Sequence, residues 1–304
     1  MKIFVTGGSG FIGKHLIRKL QNEHELIIYE NFSNSSEEDF LNLLKNNISL
    51  IKGDMTNFSL LKKSLMNVDL VIHLAARIDI LESITHPNET HKINVEGSLN
   101  ILRCCVENNI KNFISASSAA VYGNPTEIPV SEKTVPNPVS PYGAEKLSLE
   151  FYGKSFANAY DMNCISLRFF NVYGKGQSNE YAGVITKFME KIHSNQPLTI
   201  FGNGENTRDF IHIDDLVDGI VKSISNINGK KGNVYNLASG VSTSVKELAE
   251  LMILISKKNL KLNFIDSRPG DLLHSLASIE LAKKELGFEP KISLEDGLTV
   301  FMKE

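Results

Sequence analysis

Tyr142 and Lys146 stand four residues apart in the run Ser140-Pro141-Tyr142-Gly143-Ala144-Glu145-Lys146. On a helix that spacing stacks the two side chains on one face. An ammonium beside a phenol favours the ionised phenol and lowers its pKa toward working pH. A phenolate held in this way is a general base for a substrate hydroxyl. Such a pair also occurs on ordinary helix surfaces, so its meaning depends on what else the chain brings near it.

The opening of the chain supplies that context. Met1 to Thr6 reads as a short apolar strand, followed by Gly7-Gly8-Ser9-Gly10-Phe11-Ile12-Gly13 and an amphipathic stretch from Lys14 to Leu20. Strand, tight glycine turn and helix form a dinucleotide-binding unit. Gly7 permits the turn, Gly10 lets backbone N–H groups approach a pyrophosphate, and Gly13 lets helix and strand pack closely. The helix N-terminus adds partial positive charge to the anion site. A second strand, Leu26-Ile27-Ile28-Tyr29, ends in Glu30. An acid there accepts hydrogen bonds from the adenosine ribose hydroxyls and repels a 2′-phosphate. No Arg or Lys occurs between Glu30 and Lys45 to cradle such a phosphate, so the cofactor expected is NAD rather than NADP.

The elements that must position these residues alternate along the chain. Strands are expected at 2–6, 25–29, 48–52, 69–73, 111–116 and 163–168, and helices near 11–22, 57–66, 87–108 and 141–160. Alternation of this kind builds an α/β fold, a Rossmann-type doubly wound parallel sheet. Continuous apolar runs such as Leu70-Val71-Ile72 suit strands covered on both faces. Beyond residue 168 the rhythm breaks into shorter pieces, with Gly174, Gly176, Gly202 and Gly204 marking loops. This implies a smaller C-terminal substrate-binding lobe interleaved with late sheet elements. The expected division is 1–168 plus about 209–237 for the dinucleotide domain, and about 169–208 plus 238–304 for the lobe. The late elements are a helix at 214–226, begun by Asp214-Asp215, and a strand at Asn233-Val234-Tyr235-Asn236. The polar segment from Asn31 to Asp39 reads as a mobile loop over the adenosine.

Bulk properties exclude several classes of function. The 304 residues carry a net charge of −3, which offers no polybasic footprint for nucleic acid or an anionic membrane. Cys104, Cys105 and Cys164 are too few for a disulfide framework or a thiolate metal cluster. His86, His91 and His212 lack the spacing of a ligand set, so no metal is expected; His212 to Asp215 reads instead as a strand end and helix cap. No apolar run reaches spanning length, and Met1-Lys2 leads directly into a strand, so a cytoplasmic chain is expected.

The glycine spacing GxxGxxG combined with YxxxK resembles the extended short-chain dehydrogenase/reductase family, and within it the nucleotide-sugar 4-epimerases. The resemblance runs to about residue 300. It includes Gly53-Asp54-Met55-Thr56, His73-Leu74-Ala75-Ala76, Asn94-Val95-Glu96-Gly97, Ser117-Ser118-Ala119-Ala120-Val121-Tyr122-Gly123, Arg168-Phe169-Phe170-Asn171, Thr207-Arg208-Asp209-Phe210 and Arg268-Pro269-Gly270-Asp271. It implies that Ser118, Tyr142 and Lys146 are catalytic, with Ser117 the competing register for the serine. It further implies cofactor contacts from Gly7, Gly10, Phe11, Ile12, Gly13, Glu30, Asn31, Asp54, Met55, Leu74, Ala75, Ala76 and Asn94, and from Tyr142 and Lys146 themselves.

On the substrate side the resemblance points to Ser118, Asn171, Val184, Thr199, Phe201, Arg208, Arg268, Asp271 and Ser275. Arg208 and Arg268 suit a diphosphate, because a guanidinium fork matches phosphate bidentately. Leu198 to Phe201 would flank the base as a short strand. Ser275 resembles the position that controls room beside the sugar C2 substituent, where a small residue admits an N-acetyl group. The implied activity interconverts UDP-glucose and UDP-galactose through a 4-keto sugar, with UDP-GlcNAc and UDP-GalNAc as further candidates. UDP-glucuronate decarboxylation, sugar 4-ketoreduction and a silent NAD-sensing protein are the alternatives, and UDP against dTDP or GDP stays open. Sugar-nucleotide dehydratases carry an Asp-Glu pair where this chain has Ala119-Ala120, and a methyl group cannot move a proton. The family also implies a homodimer through helices 87–108 and 141–160.

Overall fold

The computed structural model describes residues 1–44, 48–177, 183–267 and 273–303. In chain order its first half contains β1 (Lys2–Thr6), α1 (Phe11–Leu20), β2 (Glu25–Glu30), α2 (Glu37–Leu41), β3 (Ile48–Lys52), α3 (Phe58–Ser64), β4 (Leu70–His73), α4 (Ile80–Thr85), α5 (Pro87–His91), a π-helical turn at Lys92–Gly97, α6 (Ser98–Glu107) and β5 (Asn112–Ser118). Then follow α7 (Pro141–Tyr160), β6 (Asn163–Phe169), β7 (Asn171–Tyr173), α8 (Val184–His193), β8 (Leu198–Phe201), β9 (Thr207–His212), α9 (Ile213–Ser225), β10 (Lys231–Leu237), β11 (Ser242–Ser244), α10 (Val245–Ser256), β12 (Leu262–Ile265), α11 (Glu280–Leu286) and α12 (Leu294–Phe301).

Seven strands form one parallel sheet in the order β10-β6-β5-β4-β1-β2-β3. Alternate residues of each strand enter opposite cores, as the two-residue period requires. Ile3, Val5, Leu26, Ile28, Leu70 and Ile72 pack with Leu16, Ile17, Leu216 and Ile220 from α1 and α9. Phe4, Ile27, Tyr29 and Val71 pack with Leu61, Ile101, Leu102 and Leu149 from α3, α6 and α7. Covering one such side chain contributes about 1.5–3 kcal/mol. The three thiols are free and buried in this second core.

The small sheets lie outside this frame. β9 pairs with β7 and β11, and β8 pairs with β12, around a third core that includes Phe188, Leu198, Ile200, Leu248 and Met252. β9 spans Thr207–His212 and therefore stands apart from the seven-stranded sheet, although the expected late dinucleotide segment began at 209. β10 does return to that sheet, beside β6.

Two helices differ from expectation. The stretch 87–108 is not one helix. A helix already begins at Ile80, where Asp79 accepts the Glu82 N–H at 2.8 Å, and it breaks at His86 (φ −131°) before Pro87 opens α5. The Asn31–Asp39 segment is not all loop, because Ser36 caps α2 and drives Phe40 into the core. Two further helix starts are capped. Ser140 caps α7 with Pro141 in its first turn, and His212 caps α9 through its ring Nδ1.

A buried ion pair fastens α7 to the sheet. Arg168 on β6 donates to Glu150 from Nε at 2.8 Å and Nη2 at 2.6 Å, and its guanidinium lies over the Tyr122 ring. Arg168→Met leaves the Glu150 carboxylate buried without its cation. The expected loss is about 3–5 kcal/mol of stability, read from the urea denaturation midpoint. An unchanged midpoint contradicts this account.

Candidate active site

A cleft of about 1220 Å³ opens at the carboxyl ends of β1, β4, β5 and β6. The strand order reverses between β1 and β4, the switch point at which open α/β sheets hold ligands. Gly7, Gly10, Phe11, Ile12 and Gly13 line one end. Gly7 turns the chain at φ +71°, and a Cβ on Gly13 would stand 2.3 Å from the Gly7 carbonyl oxygen and 2.6 Å from that of Gly8. No side chain caps α1 at Gly10, so its first-turn amides face the cleft as an anion site. These residues therefore fit a pyrophosphate.

Glu30, Asn31, Asp54, Met55, Leu74, Ala75 and Ala76 line the same cleft. Glu30 accepts the backbone N–H groups of Ser9 (3.2 Å), Asn31 (3.0 Å) and Phe32 (3.1 Å), which fixes its carboxylate at the strand end. Asp54 accepts from Asn31 Nδ2 at 2.9 Å and from Thr56. Burial opposes the Asp54 charge, but the hydrogen bonds from Thr56 and Asn31 outweigh it and hold the carboxyl below its ordinary pKa.

Ser118, Tyr142 and Lys146 meet on the cleft wall. The hydroxyls of the serine pair go to different partners. Ser117 donates to the buried Glu150, whereas Ser118 ends β5, accepts the Ala120 N–H at 3.2 Å and hydrogen-bonds the Tyr142 phenol. Lys146 Nζ donates to the Ala116 carbonyl at 2.9 Å and sits 5.9 Å from the Tyr142 ring centre. The expected acidification of the phenol by its ammonium neighbour is not what this arrangement does unaided. Burial pushes Tyr142 up to about 12, partly offset by the Ser118 hydrogen bond. Burial also brings Lys146 down to about 8.

Asn171, Val184, Thr199, Phe201 and Arg208 line the other end, from β7, α8, β8 and β9. Asp209 does not compete as the acid beside Arg208. Its carboxylate is fully buried and accepts from Ser239, Gly240 and Ala277.

Two of the expected contact residues are not among those lining the cleft. Asn94, whose motif suits either a structural or a cofactor-side role, is buried behind the wall with its amide fully engaged. It donates to Arg77 O (2.8 Å) and Glu145 Oε2 (2.7 Å), and accepts the Arg77 N–H at 2.8 Å. Ser275 is likewise absent from the lining, and its N–H is bonded to Thr207 O at 3.1 Å. Arg268 and Asp271 lie outside the described residues.

Sequence reasoning missed Arg77, Ser33, Ser35, Lys187 and Asn206 on the cleft wall. Arg77 directly follows Ala75-Ala76, and Lys187 shares a helix with Val184 and Phe188, so position gave a signal for both. Ser33 and Ser35 lie in the segment read as a loop.

A model of the NAD dependent epimerase/dehydratase family matches residues 3–238. The chain belongs to this family. It is thus an NAD-dependent enzyme of the isomerase type, grouped with nucleotide-sugar 4-epimerases. A UDP-glucose 4-epimerase of Yersinia enterocolitica is 33% identical over 323 residues, covering 98% of this chain and 95% of that protein. Among solved structures, the UDP-N-acetylglucosamine 4-epimerase of Methanobrevibacter ruminantium M1, in complex with UDP-N-acetylmuramic acid, has a TM-score of 0.94 and 34% identity, covering 99% of this chain and 97% of that one. The UDP-glucose 4-epimerase of Thermotoga maritima with UDP-glucose has a TM-score of 0.93 and 33% identity, covering 100% and 98%.

Proposed function

We propose that this family member interconverts UDP-glucose and UDP-galactose at the sugar C4. The carrying observation is that one cleft contains both the uncapped glycine-turn helix and the Ser118–Tyr142–Lys146 group. Gly7 and Gly10 to Gly13 would hold the NAD pyrophosphate, Glu30 the adenosine ribose, and Asp54 with Met55 the adenine side. Bound NAD supplies hydride acceptance from C4 of the sugar and its return to the opposite face.

The chain's own groups do the rest. The Tyr142 phenolic oxygen takes the proton of the 4-hydroxyl and later returns it. Ser118 orients the reacting oxygen, and the Lys146 charge favours the phenolate. Arg208, with Arg268, would hold the diphosphate while the 4-keto sugar turns. Ala119 and Ala120 offer no acid or base beside Ser118, which disfavours dehydration.

The division into 1–168 plus about 209–237 against 169–208 plus 238–304 belongs to the same reading, with the return to the sheet taken at α9 rather than within β9. So do a cytoplasmic location and a homodimer. Among the described residues no helix is long and apolar enough to cross a membrane. Phe151 and Tyr160 on α7 and Leu81 and Ile84 on α4 are exposed, whereas α5 and α6 expose no large apolar side chain. The proposed interface therefore uses α4 with α7.

The test is purified protein without added cofactor, incubated with UDP-glucose, UDP-GlcNAc, UDP-glucuronate, dTDP-glucose and GDP-mannose, the products being separated chromatographically. UDP-galactose should form without net consumption of NADH. Loss of CO₂ from UDP-glucuronate alone, or net oxidation of NADH supplied with a 4-keto sugar nucleotide in a parallel incubation, replaces the proposal with decarboxylation or ketoreduction. The likeness to a UDP-N-acetylglucosamine 4-epimerase also favours turnover of UDP-GlcNAc. No turnover of it, with UDP-glucose active, removes the N-acetyl part.

A further inference from the structure

The motif His73-Leu74-Ala75-Ala76 gives Leu74 and both alanines to the cleft wall, and its histidine lies buried at the end of β4. We infer that His73 is a positioning residue, a neutral imidazole carrying its proton on Nε2, that ties the cofactor wall at Ala75 to the helix that bears Tyr142. Its effect on turnover rests on the proposed Tyr142 chemistry, whereas the placement of its proton does not.

The ring stands between two hydroxyls. Thr6 of β1 is 2.7 Å from Nδ1, and Ser98 of α6 is 2.8 Å from Nε2. Both are buried with it, and Phe113 of β5 packs against the ring at 6.2 Å between centres. A hydroxyl has one proton to donate, so its other partner fixes the direction of each bond. Ser98 also touches the Asn94 carbonyl, one turn back in the π-helical turn. A carbonyl only accepts, so the Ser98 proton goes there and Ser98 Oγ accepts from the ring. Nε2 therefore carries hydrogen. On the other side Thr6 Oγ accepts the Ala75 N–H at 3.3 Å, and its own proton is left for Nδ1. Burial brings the His73 pKa down to about 3, with the Lys146 charge acting in the same sense. No second proton is held, and the partners select the tautomer.

The result is a directed chain with two ends. One end is the Ala75 amide on the cleft wall, fixed through Thr6. The other is Asn94, reached through Ser98. Asn94 donates to Glu145 Oε2 at 2.7 Å, one turn along α7 from Tyr142, and holds both backbone groups of Arg77 at 2.8 Å. β1 and β4 flank the switch point of the sheet, so the ring joins the strands under the cofactor cleft to the helix beside it. Hydrogen bonds in such a chain strengthen one another where water is excluded.

The first measurement is ¹⁵N NMR of the NAD-loaded enzyme carrying ring-labelled histidine, with His73→Asn used to assign the signal among the eight histidines. At neutral pH His73 should show a protonated Nε2 and a bare Nδ1. A protonated Nδ1 overturns the inference. The second measurement separates the two ends. In His73→Asn the amide oxygen replaces Nδ1 and still accepts from Thr6, but nothing reaches Ser98. NAD affinity should stay within about threefold of wild type, while kcat for UDP-glucose falls about tenfold with KM unchanged. In His73→Gln the amide nitrogen replaces Nε2 and still donates to Ser98, but Thr6 loses its acceptor. NAD affinity should then weaken about tenfold. If the ring cannot be replaced without unfolding, Ser98→Ala and Thr6→Val remove the same two ends with the same two expected outcomes, and each shifts the His73 signal and so assigns it. Equal losses of NAD affinity and turnover in both members of a folded pair overturn the positioning role. The NMR needs no sugar, so an Nε2–H signal in an enzyme inactive on every UDP-hexose rejects the epimerase reading alone.

Discussion

Tyr142→Phe is expected to fold, retain NAD and lose turnover of UDP-glucose by about 10³-fold, within the range for removing a positioned acid–base group. The substitution keeps the buried ring and deletes only the oxygen that hydrogen-bonds Ser118. Packing and cofactor content should therefore be unaffected while proton transfer fails. The measurement is chromatographic conversion of UDP-glucose, alongside NAD content of the purified variant. Near-wild-type turnover would remove Tyr142 from the proposed mechanism. The phenol's elevation to about 12 by burial gives the sign of the pH dependence. Base function requires loss of the phenol's proton, so activity should rise from acid pH. It should fall again where Lys146, brought down to about 8, loses the charge that favours the phenolate.

Gly13→Ala should be more damaging to the cofactor than any single polar change. Its Cβ would fall 2.3 Å from one backbone oxygen and 2.6 Å from another, both in the turn that approaches the pyrophosphate. Backbone cannot swing aside as a side chain can, so α1 must move away from β1 and carry the anion-binding amides with it. The expected result is a protein purified with little or no NAD, its NAD affinity weakened about 100-fold or more, and its melting temperature lowered. Calorimetric titration with NAD reads the first and thermal unfolding the second. Unaltered NAD affinity would mean that this turn does not hold the dinucleotide.

The parallel sheet was legible because strands covered on both faces are written as unbroken apolar runs, and glycines and caps marked the turns between them. Ile3-Phe4-Val5 and Leu70-Val71-Ile72 could hardly be anything else. α4 was missed because Ile80, Leu81 and Ile84 are exposed rather than buried, so no core-facing stripe announced a helix. β9 was not read as a strand, and its place beside β7 and β11 came only from hydrogen-bond pairing. The motif left Asn94 between a structural and a cofactor-side role, and its amide is engaged by Arg77 and Glu145. Ser275 carries the residue type of a sugar gate but stands outside the cleft lining.

By itself the sequence determined the strand–glycine–helix opening, the acid ending β2, and the Tyr142–Lys146 spacing on one helix. These are local properties, set by φ/ψ limits, period and adjacency. The motif favoured Ser118 over Ser117, but the partner of each hydroxyl came only with the tertiary structure, because Glu150 is distant in sequence from Ser117 and accepts its hydroxyl only across the packed sheet. The tertiary structure also decided the protonation balance of the Tyr142–Lys146 pair. Proximity on a helix argues for an acidic phenol, whereas exclusion of water from the assembled wall raises the phenol's pKa and lowers that of the amine. Solvent exclusion is a property of the whole packed molecule, and no spacing of residues along the chain encodes it.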